Sequence, residues 1–216
     1  FVPSSLMVSV TTYLSSDVAA VPLLWVIPLA IYLLTFVLVF TRRTLVPDAL
    51  LKRALPIVLV ALVLLLAMQA TEPIALLMSL HLLAFFTVAM VCHGEIARDR
   101  PATQHLTEFY LWMSVGGVLG GAFNALLAPL IFTTVAEYPV TLVLACLLGI
   151  RAATVDVDRR KMVFDFVAPI LLGLLTLGLI ILVPKLLPPG DPLAAGLIFA
   201  PPVLACFFCS QRPLRF

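Results

Sequence analysis

The sequence predicts an all-α membrane protein, a polytopic bundle of about seven transmembrane helices. Three observations support this class: the apolar composition, the length of the apolar stretches and the distribution of charge. Of the 216 residues, 63% are hydrophobic and 11% are charged, and the mean hydropathy is +1.19. A soluble domain is about half apolar and about a quarter charged. This chain therefore has too little polar surface for water and must be solvated by lipid.

Seven apolar stretches follow one another along the chain, each bounded by charges, prolines or both. A helix needs about 20 mostly apolar residues to cross the hydrocarbon core. Since lipid offers no partner to backbone polar groups, such stretches must pair them internally as helices. The predicted spans, which together form a membrane domain over 18–209, are 18–40, 54–71, 74–94, 106–131, 134–150, 163–183 and 192–209.

The basic residues predict the orientation, because Lys and Arg are enriched in cytoplasmic loops. With the N-terminus outside and a cytoplasmic tail over 210–216, twelve of the 13 basic residues lie inside and only Lys185 lies outside. This arrangement accounts for the net charge of +2 without a nucleic-acid partner. The inner residues are Arg42, Arg43, Lys52, Arg53, Arg98, Arg100, Arg151, Arg159, Arg160, Lys161, Arg212 and Arg215.

Residues 1–17 precede the first predicted span and are rich in Ser and Thr. They are too short and too polar to cross the membrane alone. Two interpretations are open: a helix on the outer face, or the truncated end of a preceding span. The second would make the chain a fragment of a longer protein.

The four cysteines are predicted at the inner membrane ends, a reducing side where disulfides are rare. They are Cys92, Cys146, Cys206 and Cys209. The last two have the spacing of a metal or redox pair, but they lie in an apolar span without further ligands. The sequence therefore predicts neither a metal nor a cofactor.

Four ionisable residues surround the cytoplasmic hairpin that follows the third span. They are His93, Glu95, His105 and Glu108. Such groups near a membrane are candidates for metal binding or proton transfer. The alternative is structural: the carboxylates pair with Arg98 and Arg100 and fix the hairpin at the interface.

A polar face is predicted on the third span, where His81 and Glu95 align at 100° per residue. The face could line a polar cavity, or His81 could form a hydrogen bond with a neighbouring helix. The first alternative predicts that His81→Leu changes function more than folding.

The fourth span contains a helix-packing seam of small residues. It consists of Gly116, Gly117, Gly120, Gly121 and Asn124. Glycines spaced four apart let two helix backbones approach closely in lipid. The pattern is no dinucleotide fingerprint, because it follows no strand. Asn124, seven residues after Gly117, is expected to form a hydrogen bond across the same contact.

Several segments resemble the membrane region of bacterial fused spermidine synthase-like proteins. These segments are 1–7 (FVPSSLM), 10–14 (VTTYL), 17–36 (DVAAVPLLWVIPLAIYLLTF), 92–95 (CHGE) and 106–124 (LTEFYLWMSVGGVLGGAFN). The resemblance covers roughly residues 1–150; beyond these, only the hydrophobic pattern is similar. In that family a major-facilitator-like membrane part precedes a cytosolic domain resembling polyamine aminopropyltransferases.

The resemblance implies a multi-pass module of the bacterial inner membrane that anchors or serves such a cytosolic domain. That catalytic domain is absent from this sequence, so no catalytic residue can be assigned and enzymatic activity of this chain alone is not expected. Two other functions are open. One is an accessory subunit that binds other membrane helices or subunits of a larger complex. The other is transport of a small molecule, for example a polyamine, for which His81, Glu95 and Glu108 are the candidate residues.

Overall fold

A computed structural model describes residues 1–18, 22–41, 46–67, 72–149, 159–186, 197–202 and 204–205. Every regular element in these ranges is helical, as the composition predicts. The main helices are α1 (Val2–Tyr13), α2 (Val26–Phe40), α3 (Asp48–Ala67), α4 (Ile74–Arg98), α5 (Leu106–Ala122), α6 (Ala128–Ile131), α7 (Glu137–Gly149) and α8 (Arg159–Leu186).

Three short helical turns extend these elements. A 3₁₀ turn at Thr103–His105 leads into α5, and π-helical turns follow α1 at Leu14–Val18 and α5 at Phe123–Leu127. As a result, Thr103–Ile131 is one helical segment of 29 residues. A π turn inside a helix changes which side chains share a face, and such turns are frequent at functional sites.

Three segments are long and apolar enough to cross a membrane: Asp48–Leu66, Ile74–Arg98 and Thr103–Ile131. They overlap the predicted second, third and fourth spans. Shorter apolar helices lie at Val26–Phe40 and Ile170–Val183, within the predicted first and sixth spans. The described part of the chain is therefore all-helical and includes helices capable of crossing a membrane.

Two helix starts differ from the predicted span boundaries. The predicted first span begins at 18, whereas α2 begins only after a turn at 22–25, where Leu23 has a φ of 62°. The proline at position 22 lacks the N–H that a continuous helix would require there. Conversely, α3 begins at Asp48, six residues before the predicted span, because an acidic residue in the first turn favours a helix N-terminus.

The core forms where α1 and α4 pack together with α3 and α7. The central helix, α4, also contacts α2, and half of its most apolar stretch is buried inside the protein. α1 contacts α2, α4, α5 and α7, so it is an integral part of the bundle. The buried apolar residues of this core include Val2, Leu6 and Val10 of α1, Leu59 and Leu62 of α3, Ala84, Phe85, Val88 and Ala89 of α4, and Tyr138, Leu142 and Ala145 of α7.

Some sequence predictions concern residues outside the described ranges. They include the basic residues Arg42, Arg43, Arg151, Arg212 and Arg215, the pair Cys206 and Cys209, and the tail 210–216. Of the predicted seventh span, 192–209, the structure describes 197–202 and 204–205, which are helical.

Candidate functional site

The backbones of α1 and α5 approach each other closely at two glycines. A Cβ atom added at Gly120 would overlap the carbonyl oxygen of Phe1 and would lie 2.9 Å from the amide nitrogen of Ser5. One added at Gly116 would lie 3.2 Å from the nitrogen of Phe1. Only glycine permits this approach, which brings the hydroxyl groups of α1 within hydrogen-bond distance of α5.

The other two glycines of the predicted seam face no neighbour. Apart from the local backbone of α5, no described heavy atom lies within 4 Å of a Cβ built at Gly117 or Gly121. Gly117 nevertheless contributes to the contact through its backbone, since the Ser4 hydroxyl donates to its carbonyl oxygen at 2.8 Å. The close helix contact is therefore made at Gly116 and Gly120, and Asn124, four residues further on, lies on the same side of the helix.

A directed chain of buried hydrogen bonds joins α5, α1 and α7. The amide Nδ2 of Asn124 donates to Ser5 Oγ at 2.6 Å and to the Gly120 carbonyl at 3.1 Å. Thr141 donates its only hydroxyl hydrogen to the Glu137 carbonyl at 2.7 Å. The 3.2 Å contact between Ser5 Oγ and Thr141 Oγ1 is therefore donated by Ser5. Every side-chain donor of this hydrogen-bond network is used, while Asn124 Oδ1 has no partner among the described residues.

Replacing Ser5 with alanine should lower stability, because Asn124 then loses an acceptor and Thr141 loses a donor in a buried site. The expected loss is about 1–3 kcal/mol of unfolding free energy, the usual cost of leaving buried polar groups unpaired. Ser9→Ala is the matched control: Ser9 lies on the same helix, is also 0% exposed, and among the described residues bonds only to the Leu6 carbonyl of its own helix. Thermal unfolding in detergent measures the stability of both variants. Equal melting temperatures would contradict a stabilising role for the hydrogen bonds that Ser5 makes.

The candidate His81 is fully enclosed between three helices. Its Nδ1 lies 2.8 Å from the hydroxyl oxygen of Tyr138, and the ring of Tyr13 lies against both side chains, with centroids 4.7 and 5.3 Å away. His81 and Tyr138 are each 1% exposed. His81 thus forms a hydrogen bond with a neighbouring helix, which is one of the two alternatives stated for it.

Glu95 forms an ion pair with Arg98 of the same helix. Its Oε1 lies 2.6 Å from Nη2 of Arg98, and the same nitrogen lies 3.6 Å from a carboxylate oxygen of Asp48 on α3. This arrangement corresponds to the structural alternative for the hairpin, in which carboxylates pair with arginine at its rim. An exposed ion pair of this kind contributes about 0–1 kcal/mol to stability.

The other hairpin candidates are not brought together. His93 is buried at the packing of α4 against α2, whereas His105 and Glu108 are exposed near the start of α5. Within the described ranges, no group of three His, Cys, Asp or Glu side chains is arranged to hold a metal ion.

His93 is fixed by a hydrogen bond that also determines its protonation pattern. Thr35 donates its one hydroxyl hydrogen to the Tyr32 carbonyl at 2.7 Å, so its contact with His93 Nδ1 at 3.0 Å must be donated by the imidazole. In a neutral imidazole the proton is then on Nδ1, and Nε2 carries the lone pair. The ring also contacts Phe36 and Tyr32, with centroids 3.9 and 5.3 Å away.

A pocket of about 280 Å³ lies between α1, α2, α4 and α5, beside His93. This volume is close to the lower end of the range for ligand sites, about 300–1,000 Å³. Five of its twelve lining residues are Phe, Tyr or Trp, and no Asp, Glu, Lys or Arg side chain of the described residues lines it. The lining residues are Phe1, Pro3, Ser4, Tyr32, Phe36, His93, Ile96, Phe109, Trp112, Met113, Gly116 and Gly117.

The partners of the two buried histidines could not be identified from the sequence. Thr35 and Tyr138 lie 58 and 57 residues from the histidines they bond, and no local spacing connects them. The available signal was the presence of hydroxyl groups within predicted apolar spans, which also applied to Thr141 but not to Ser5, since Ser5 precedes the first predicted span.

Comparison with known proteins adds no further assignment. No protein-family model, curated protein or solved structure matches this chain.

Proposed function

We propose that this chain is a seven-span, multi-pass module of the bacterial inner membrane that serves a cytosolic aminopropyltransferase-like domain and holds a small molecule among its helices. The observation that carries the proposal is the composition of the pocket. All of its lining residues except Ile96 belong to the segments on which the resemblance to fused spermidine synthase-like proteins rests. Segments far apart in the sequence thus meet around one cavity.

The proposed orientation has the N-terminus outside and the C-terminus in the cytoplasm. Support comes from the basic residues, twelve of which fall on the inner side in a seven-span arrangement. A cytoplasmic C-terminus is the side on which a cytosolic domain could be attached.

An accessory-subunit role is the second candidate, favoured by the outer face of α5. Leu111 and Val118 lie seven residues apart on one face and are 60% and 70% exposed, and apart from the local backbone of α5 no described heavy atom lies within 4 Å of the Cβ position of Gly121. Small residues flanked by exposed apolar side chains are typical of contacts between membrane helices. Polyamine transport has less support, since Glu95 pairs with Arg98 and Glu108 is exposed.

An intact mass measured on the protein extracted from its native membrane tests the proposal. We expect a mass well above the 23.4 kDa of this chain, because the proposed module is joined to a cytosolic domain. A mass equal to that of the chain would contradict the fused-domain proposal. Co-purification of other membrane subunits with a chain of that size would instead support the accessory role.

A further inference from the structure

One polar atom inside the helix bundle is buried without a hydrogen bond. Asn124 is 7% exposed, and its Oδ1 has no partner among the described residues. Buried polar atoms of folded proteins nearly always have a partner, which is either another protein group or an ordered water molecule. The side-chain carbonyl of Asn124 therefore requires a hydrogen-bond donor within the bundle.

The side chains bonded to Asn124 cannot supply that donor. The two amide hydrogens of Asn124 go to Ser5 Oγ and to the Gly120 carbonyl. Ser5 donates to Thr141, and Thr141 donates to the Glu137 carbonyl. A hydroxyl oxygen can accept two hydrogen bonds, so Ser5 Oγ and Thr141 Oγ1, which each accept one in this network, can each accept one more. The network thus offers only acceptors, and a further member must bring its own hydrogen atoms.

The surroundings of Asn124 limit the size and the charge of this donor. The backbones of α1 and α5 approach closely at Gly120, which leaves no room for a large molecule between them. Four residues before and after Asn124, the helix carries only Gly120 and Ala128, so small side chains flank the amide group. The side chains of the network, Asn124, Ser5 and Thr141, are all neutral. A buried cation would find no carboxylate among them, and burying an unpaired charge is costly.

Asn124 also lies in the π turn at Phe123–Leu127, where the backbone hydrogen bonds of the helix are altered. The N–H of Ala128 donates to the carbonyl of Phe123, which is five residues back instead of four. A water molecule inserted into the backbone hydrogen bonds is a known cause of such distortions. In apolar helices, ordered waters and π turns are two of the means by which backbone groups are satisfied. The π turn and the unpaired oxygen are separate observations that coincide at one residue.

From these observations we infer that an internal water molecule is bound at Asn124, donating one hydrogen to Oδ1 and the other to Ser5 Oγ or Thr141 Oγ1. Water is the smallest neutral molecule that supplies two hydrogens, and a buried water typically makes about three hydrogen bonds to otherwise unpaired polar groups. The site lies within the apolar segment Thr103–Ile131, and it links α5 to α1 and α7. The inference goes beyond the proposed function and does not depend on it.

Asn124 is the only asparagine in the sequence, so carbon-13 placed in the side-chain carbonyl of asparagine reports on this site alone. The sample is the full chain, expressed with labelled asparagine and reconstituted in lipid bilayers, and the probe is water. Isotope-edited infrared spectroscopy measures the stretching frequency of the labelled carbonyl. We expect a shift to lower wavenumber relative to a free amide carbonyl, because accepting a hydrogen bond weakens the C=O bond. The unlabelled protein provides the blank.

Solid-state NMR with magnetisation selected on water protons then identifies the donor. We expect transfer from water to the labelled carbon of Asn124 at mixing times too short for transfer to labelled leucine methyl groups, which serve as the dry reference. Two results would overturn the inference. A carbonyl band at the free-amide frequency would show that Oδ1 has no donor, and a shifted band without early transfer from water would show that the donor is a protein group. Both measurements use the wild-type chain, so neither depends on a variant that folds.

Discussion

Replacing Gly120 with alanine is expected to disrupt the packing of α1 more than any other single methyl addition in α5. The new Cβ would overlap the Phe1 carbonyl oxygen and would lie 2.9 Å from Ser5 N and 3.1 Å from Ser4 Cβ. Two of these three atoms belong to the backbone, so the collision cannot be relieved by a side-chain rotation. The helices must separate, at a cost of about 1–3 kcal/mol for overpacking alone.

The separation would also weaken the buried hydrogen bonds beside Gly120. The Gly120 carbonyl accepts a hydrogen from Asn124, whose other amide hydrogen goes to Ser5. A shift of α1 by a few tenths of an ångström lengthens this second bond, so the loss of stability should exceed that of Ser5→Ala. The melting temperature of the detergent-solubilised variant measures the effect.

Gly121→Ala is the matched control, one residue further along the same helix. Apart from the local backbone of α5, no described heavy atom lies within 4 Å of its Cβ position. Alanine is favoured over glycine inside a helix by roughly 0.5–1 kcal/mol, so this variant should be as stable as the wild type or slightly more stable. Equal destabilisation by both substitutions would show that α1 does not pack on Gly120.

The glycine seam illustrates how far the sequence could predict the packing. Spacing of four residues indicated a helix contact, but Gly116 and Gly120 have the same spacing as Gly117 and Gly121. Which pair faces a neighbour depends on the rotation of α5 about its axis, and that is set by α1. A π turn at Phe123–Leu127 further changes which side chains share a helix face near Asn124. No pattern in the sequence predicts this turn.

The helical class was predictable because lipid allows the backbone few alternatives. Helix ends were less predictable, since they depend on local caps and turns. Charges at Lys52 and Arg53 placed the second predicted span at 54, yet α3 begins at Asp48. Long basic side chains near a helix end can extend toward the interface, so such charges do not mark where a helix begins.

The polar residues predicted as candidate sites differ in how deeply the fold buries them. The hairpin candidates were grouped by proximity in sequence, but α4 carries His93 into the bundle and leaves Glu95 at the rim with Arg98. His93 gains its role from Thr35 and Tyr32 on α2. Contacts between distant helices of this kind depend on the tertiary fold, which local periodicity does not determine.

Replacing His81 with leucine is expected to destabilise the protein, because it leaves the buried Tyr138 hydroxyl with no partner among the described residues. Tyr138→Phe should have the converse effect by leaving His81 Nδ1 unpaired. Each single substitution should cost about 1–3 kcal/mol, the penalty for a buried polar group without a hydrogen bond. Thermal or denaturant unfolding in detergent measures both.

The double variant distinguishes a structural pair from a functional histidine. With both polar groups removed, neither is left unpaired, so the combined loss should fall below the sum of the single losses by about 0.5–3 kcal/mol. His105→Leu serves as the control, since His105 is exposed and should change stability by less than about 0.5 kcal/mol. Additive losses in the cycle would contradict the pairing. If His81→Leu retained full stability and lost ligand binding or activity, His81 would instead line a functional cavity, because a histidine held only for packing cannot alter function without altering the fold.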